Sequence, residues 1–64
     1  MKIPSQEKIV LTYVFEDVKC YVVTRSILGK YTLYKIVDND YQKLKTANTP
    51  LEFDDIVEED WSEI

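Results

Sequence analysis

An α+β fold is expected, in which an antiparallel meander of three or four strands precedes one C-terminal amphipathic helix. Three observations predict it. Residues 8–37 are dense in β-branched and aromatic side chains, broken at two places by turn residues. Thr49-Pro50-Leu51-Glu52 has the form of a helix start. Beyond it the apolar residues recur at helical spacings. A small SH3-like or OB-like barrel with a short terminal helix accommodates the same elements and stands as the alternative.

Residues 1–64 read as one domain, because a chain this short buries only about 60% of its unfolded surface and has no room for a second lobe. Residues 1–7 are a polar lead-in that Pro4 keeps out of regular structure, so they are expected to be loosely held. The meander occupies residues 8–46. Its first strand, Lys8 to Phe15, is rich in residues that lose χ1 freedom in a helix and pack well on a pleated surface.

Glu16-Asp17 interrupts that chemistry, and Val18 to Arg25 resumes it, giving a hairpin. A two-residue turn sets Phe15 opposite Val18, Tyr13 opposite Cys20, Leu11 opposite Val22 and Ile9 opposite Thr24, so that one face is almost wholly apolar. Val10, Thr12 and Val14 then face Val23, Tyr21 and Lys19 on the other side. Glu-Asp is a poor type I′ pair, since neither residue favours positive φ, and a longer loop is the alternative.

Gly29, the one glycine of the chain, ends Ser26-Ile27-Leu28-Gly29 where a three-residue hairpin loop needs a left-handed residue. That loop pairs Tyr34 with Val22, Ile36 with Cys20 and Thr32 with Thr24. It also pairs Tyr31 with Arg25, Leu33 with Val23 and Lys35 with Tyr21. Asp38-Asn39-Asp40 is a turn cluster of the kind that bonds its own backbone. Tyr41 to Thr46 returns as the weakest strand, because a three-residue loop sets Lys43 against Lys35; a register shift or an anion between them would relieve the repulsion.

The helix spans residues 50–62. Thr49 supplies a capping hydroxyl, Pro50 the first helical position and Glu52 the carboxylate of a capping box. Phe53, Ile56, Val57, Trp61 and Ile64 form one stripe, while Glu52, Asp55, Glu58, Glu59 and Ser62 point away. Glu59, Asp60 and Glu63 oppose the macrodipole, so the last turn frays unless Trp61 is packed.

Composition excludes several chemistries. With one cysteine and no histidine, no disulfide framework and no zinc or haem site built from those ligands can form. Cys20 reads as a small hydrophobe rather than a nucleophile, because no histidine exists to activate it. There is no Gly-rich phosphate loop, catalytic triad or hydrolase elbow, and no cofactor is implied. Asp38 and Asp40 lack the glycine and terminal glutamate of a calcium loop. A non-enzymatic protein is expected. No stretch approaches the roughly 18 apolar residues of a membrane span and the N-terminus lacks an apolar signal core, which points to the cytoplasm and to no membrane partner.

Charge is unevenly distributed along the chain. Residues 1–36 carry six cations against three carboxylates, a net of +3, and residues 37–64 carry two against nine, a net of −7. The local field of the C-terminal segment repels phosphate and attracts a basic surface. Glu52, Asp55, Glu58, Glu59, Asp60 and Glu63 are therefore the candidate partner-binding residues. They can substitute for nucleic-acid phosphates on a Lys/Arg-rich patch of another protein. The plain reading of the same residues is a solvated helix face kept charged for solubility.

A second candidate surface is the sheet face carrying Lys19, Tyr21, Arg25, Tyr31, Lys35 and Lys43, with Tyr41 and Lys45 beside them. Cations interleave there with aromatics, as on single-stranded nucleic-acid platforms. Tyrosine is also an ordinary cross-strand residue and lysine an ordinary edge protector, and the chain's acidity opposes phosphate binding. Whichever face the helix covers, apolar surface is left over, which calls for a partner or a homodimer.

The functional expectation is thus a small acidic protein-binding module. By analogy alone, such single-domain proteins in phages and mobile elements inhibit or retune enzymes that bind nucleic acid. A single-stranded nucleic-acid-binding module and a structural or assembly subunit are the alternatives.

Overall fold

The computed structural model describes residues 6–62. The architecture is α+β: strands β1 (Glu7–Phe15), β2 (Val18–Ser26), β3 (Tyr31–Val37) and β4 (Asp40–Ala47) form one antiparallel sheet in the order β1-β2-β3-β4. A 3-10 turn, Pro50–Glu52, leads into helix α1 (Phe53–Ser62). The sheet is open, with β1 and β4 at its edges, so the closed-barrel alternative does not hold.

All three strand connections are tight. Glu16 and Asp17 take φ of 52° and 64°, and Asp38 and Asn39 take 51° and 66°. Both pairs therefore occupy the left-handed region that a two-residue turn matching the sheet twist requires. Glu16-Asp17 adopts it despite its unfavourable residues. The second such turn is one residue shorter than the expected Asp38-Asn39-Asp40 loop, and Asp40 begins β4. Between β2 and β3, Gly29 sits at φ 84° and donates its N–H to the Ser26 carbonyl at 3.0 Å, while the Ser26 N–H reaches the Lys30 carbonyl at 2.8 Å. The loop is the expected one, and β2 and β3 pair as predicted, Val22 with Tyr34 and Tyr21 with Lys35.

The first hairpin departs from a regular ladder. Its ends match expectation, with Phe15 opposite Val18 and Ile9 opposite Thr24. Between them Tyr13 pairs with Tyr21, Thr12 with Val22 and Leu11 with Val23. One extra residue on β2, Cys20, and a compensating one on β1, Val10, account for the shift. Its consequence is to move Tyr13 and Phe15 to the same face as Tyr21 and Val23, where α1 packs. The two-residue Asp38-Asn39 turn sets Lys35 opposite Gln42 and Lys43 opposite Tyr34, and beyond that pair a third irregularity, at Leu44, sets Lys45 opposite Leu33. The expected Lys35–Lys43 opposition is thereby avoided.

The core lies between this face and the helix. Tyr21, Val23, Leu33, Phe53 and Val57 are buried, and Tyr13, Phe15, Cys20, Tyr31, Leu44, Ala47, Ile56 and Trp61 pack around them. The helical stripe is as predicted over Phe53 to Trp61; Ile64 and Glu63 lie outside the described residues. Ile9 and Leu11, which the regular register would place on one apolar face with Tyr13 and Phe15, are 50% and 44% exposed on the edge strand.

Two other expectations are corrected. Glu7 belongs to β1 rather than to a loose lead-in: its carboxylate accepts hydrogen bonds from Thr24 and Tyr34, two buried residues of the second sheet face. Met1 to Ser5, the rest of that lead-in, lie outside the described residues. Thr49 does cap the helical segment, its hydroxyl accepting from the Leu51 N–H at 3.4 Å, but Glu52 pairs with Lys45 at 3.3 Å instead of completing a capping box.

Candidate functional site

Helix α1 sorts its carboxylates by direction. Asp60 falls three residues after Val57 and seven after Phe53, so it lies on the packed stripe, and its carboxylate turns inward. It accepts a hydrogen bond from the Tyr21 hydroxyl and an ion pair from Lys35 at 3.0 Å. The Tyr21 bond, and after it the Lys35 ammonium, hold the Asp60 carboxyl below its ordinary value. Asp54, at the start of the helix, accepts a hydrogen bond from Tyr13.

The remaining carboxylates face outward. Asp55, Glu58 and Glu59 are exposed, and among the described residues their side chains make no ion pair or hydrogen bond. Glu52 is exposed and tied to Lys45. Of the six predicted acidic residues, then, Asp55, Glu58 and Glu59 form an unneutralised ridge, and Glu52 continues it at one end. Asp60 is committed to the interior, and Glu63 lies outside the described residues.

The six residues of the alternative sheet surface do not share one open face. Tyr21 is fully buried beneath α1 and Lys35 is engaged by Asp60. Arg25 lies 6.0 Å from the ring centre of half-buried Tyr31 at one end of that face. Lys19 and Lys43 sit on the opposite face, paired with Val14 and Tyr34. The bulge at Cys20 separates Lys19 from Tyr21, and the two-residue turn after β3 moves Lys43 to Tyr34 instead of Lys35, since a shift of one residue reverses the side to which a strand residue points.

What the sequence did not single out is a groove of about 330 Å³ between β1 and α1, lined by Tyr13, Phe15, Asp54, Val57, Glu58 and Trp61. Phe15 and Trp61 stack with ring centres 4.5 Å apart and planes inclined by 13°. Its floor is apolar, and Asp54 and Glu58 bring two carboxylates to it. The helical spacing 54, 57, 58, 61 placed four of these residues together; the β1 half depended on the Cys20 bulge, which has no local signature.

The phenols of the interior are structural donors. Burial first, and the Asp54 bond second, push the Tyr13 hydroxyl up to about 12. Burial likewise raises Tyr21, with Asp60 adding to it, and Tyr34, with Glu7 adding to it. Each remains protonated and donates to its carboxylate. Among the described residues no three His, Cys, Asp or Glu converge as a metal-binding set, and no helix is long and apolar enough to cross a membrane. No family model, curated protein or solved structure matches the chain.

Proposed function

We propose that this chain is a small, non-enzymatic protein-binding module that docks the outer face of α1 on a basic, nucleic-acid-binding surface of another protein and so inhibits or regulates it. The observation carrying this reading is the division of labour on α1. Asp54 and Asp60 accept hydrogen bonds from half-buried Tyr13 and buried Tyr21, whereas Asp55, Glu58 and Glu59 project from a helix anchored by Phe53 and Val57 with no partner among the described residues. A rigid row of carboxylates presents charge without the ordering entropy that a flexible acidic tail would lose on binding. Such a row steers association with a Lys/Arg-rich surface and repels phosphate.

The test is a comparison at equal net charge. Asp55→Asn, Glu58→Gln and Glu59→Gln together should weaken binding to the partner isolated from the native host far more than Glu16→Gln, Asp17→Asn and Asp38→Asn. Wild-type binding should also fall steeply with added salt. Equal losses from the two triple variants would reduce the effect to net charge and remove the helix as the docking surface.

A further inference from the structure

The two edges of the sheet are built differently. Edge strands expose unpaired N–H and C=O groups, and proteins ordinarily guard them with charges, bulges or short length. β4 follows that rule: Gln42, Lys43, Lys45 and Thr46 are exposed along it and Leu44 forms a bulge. β1 does not. Over its nine residues Ile9, Val10, Leu11 and Val14 are 50%, 51%, 44% and 54% exposed. Its two charged residues, Glu7 and Lys8, both lie at one end, and Glu7 is turned toward Thr24 and Tyr34.

The Val10 bulge leaves Leu11–Phe15 as an uninterrupted stretch of this edge, and that stretch runs beside the aromatic groove. Leu11, Tyr13 and Phe15 share the face of α1, while Thr12 and Val14 point to the other side. We infer that β1 is a docking edge for an extended segment of a partner protein in which basic and apolar side chains alternate. The segment adds as a fifth strand beside Leu11–Phe15. On the helix side its Lys or Arg side chains lay their aliphatic stems over Phe15 and Trp61 and direct their cationic heads to Asp54 and Glu58. On the far side its apolar residues cover Val14 and Ile9.

This inference rests on the proposal that the partner is a basic protein, and it specifies the partner segment's conformation and pattern. A second copy of this chain fits less well. Antiparallel pairing of β1 with itself about a two-fold axis puts both acidic helices on the same side of the joined sheet, with like charges facing across the seam.

Trp61 is the one tryptophan and lines the groove, so its emission reports occupancy directly. The probes are two short synthetic peptides of identical composition, one alternating valine and arginine, the other with the valines and arginines in separate blocks. The alternating peptide should change Trp61 emission saturably and bind about tenfold more tightly than its isomer, because only a period-two pattern presents all its cations to one side. It should also slow hydrogen exchange at amides within Leu11–Phe15. Val14→Lys, at an exposed position, should abolish that preference, whereas Asp38→Asn, in the β3–β4 turn away from β1, should leave it intact.

Equal binding of the two isomers by the wild-type chain, or unchanged exchange along β1, would overturn the inference while leaving docking of α1 on a basic surface standing. Concentration-dependent dimerisation in sedimentation that Val14→Lys abolishes would also overturn it, by making β1 a self-association edge.

Discussion

The hydroxyl of Tyr21, fully buried beneath α1, donates a hydrogen bond to the carboxylate of Asp60, a residue 39 positions away that also pairs with Lys35 at 3.0 Å. This bond ties the far end of the helix to the second strand. It also explains how a helix with no basic residue in its last turn continues to Ser62, since the charge of Asp60 is met by Lys35 from the sheet.

Removing the acceptor should therefore destabilise the fold. Asp60→Ala strands a buried phenol and is expected to lower stability by about 1–3 kcal/mol, and Asp60→Asn, which keeps an acceptor, by less. Urea unfolding followed by circular dichroism checks this. A double-mutant cycle with Tyr21→Phe should show that the two losses do not add.

The same residue gives the acid limb of stability its shape. Because the Asp60 carboxyl is held below its ordinary value in the fold, its contribution is present above the unfolded value near 4 and is lost as pH falls through the folded value. Midpoints measured from neutral to acidic pH should fall less steeply for Asp60→Asn than for wild type. Parallel curves would sink the assignment.

At alkaline pH the sign reverses. Tyr13 is pushed up to about 12, and Tyr21 and Tyr34 are raised as well, so their protonated forms favour folding below the ordinary value of 10.0. That contribution is lost as pH rises from there through the folded values. In a jump to high pH, tyrosinate absorbance from these three should appear with the rate of unfolding rather than instantaneously.

Turn chemistry leaves room for improvement. Glu16 and Asp17 hold φ of 52° and 64° at a steric penalty that Asn-Gly avoids. Glu16→Asn with Asp17→Gly should stabilise the chain by roughly 1 kcal/mol, seen as a rise of about 4–8 °C in Tm. Gly29→Ala, forced to φ 84°, should destabilise by about 1 kcal/mol through backbone strain alone, since the nearest atom to the added methyl group is an Arg25 nitrogen at 3.9 Å.

Helix docking depends on Phe53. It is fully buried between α1 and the sheet, and Phe53→Ala should lose about 3–5 kcal/mol through burial and cavity terms. A 64-residue domain whose total stability is a few kcal/mol should then be largely unfolded at room temperature. Retained near-ultraviolet dichroism of Trp61 in that variant would contradict the packing described.

The sequence by itself determined the strands, the β2–β3 register and the helix with its stripe and outward carboxylates. Each of these rests on interactions between near neighbours in the chain: alternation in the strands, one glycine in a three-residue loop, a proline after a capping threonine, and apolar spacings of three and four. Tertiary structure alone decided which sheet face is covered. A bulge carries no compositional mark, because any residue can be the inserted one. Those at Cys20 and Val10 are stabilised by what they gather, namely Tyr13 and Phe15 on the Tyr21 side beneath Phe53, Val57 and Trp61. The same long-range packing drew Asp60 inward, buried the tyrosine of the expected sheet surface, and left Ile9, Leu11 and Val14 on an unguarded edge. Burial is a property of two surfaces meeting, and the chain's local pattern describes only one of them at a time.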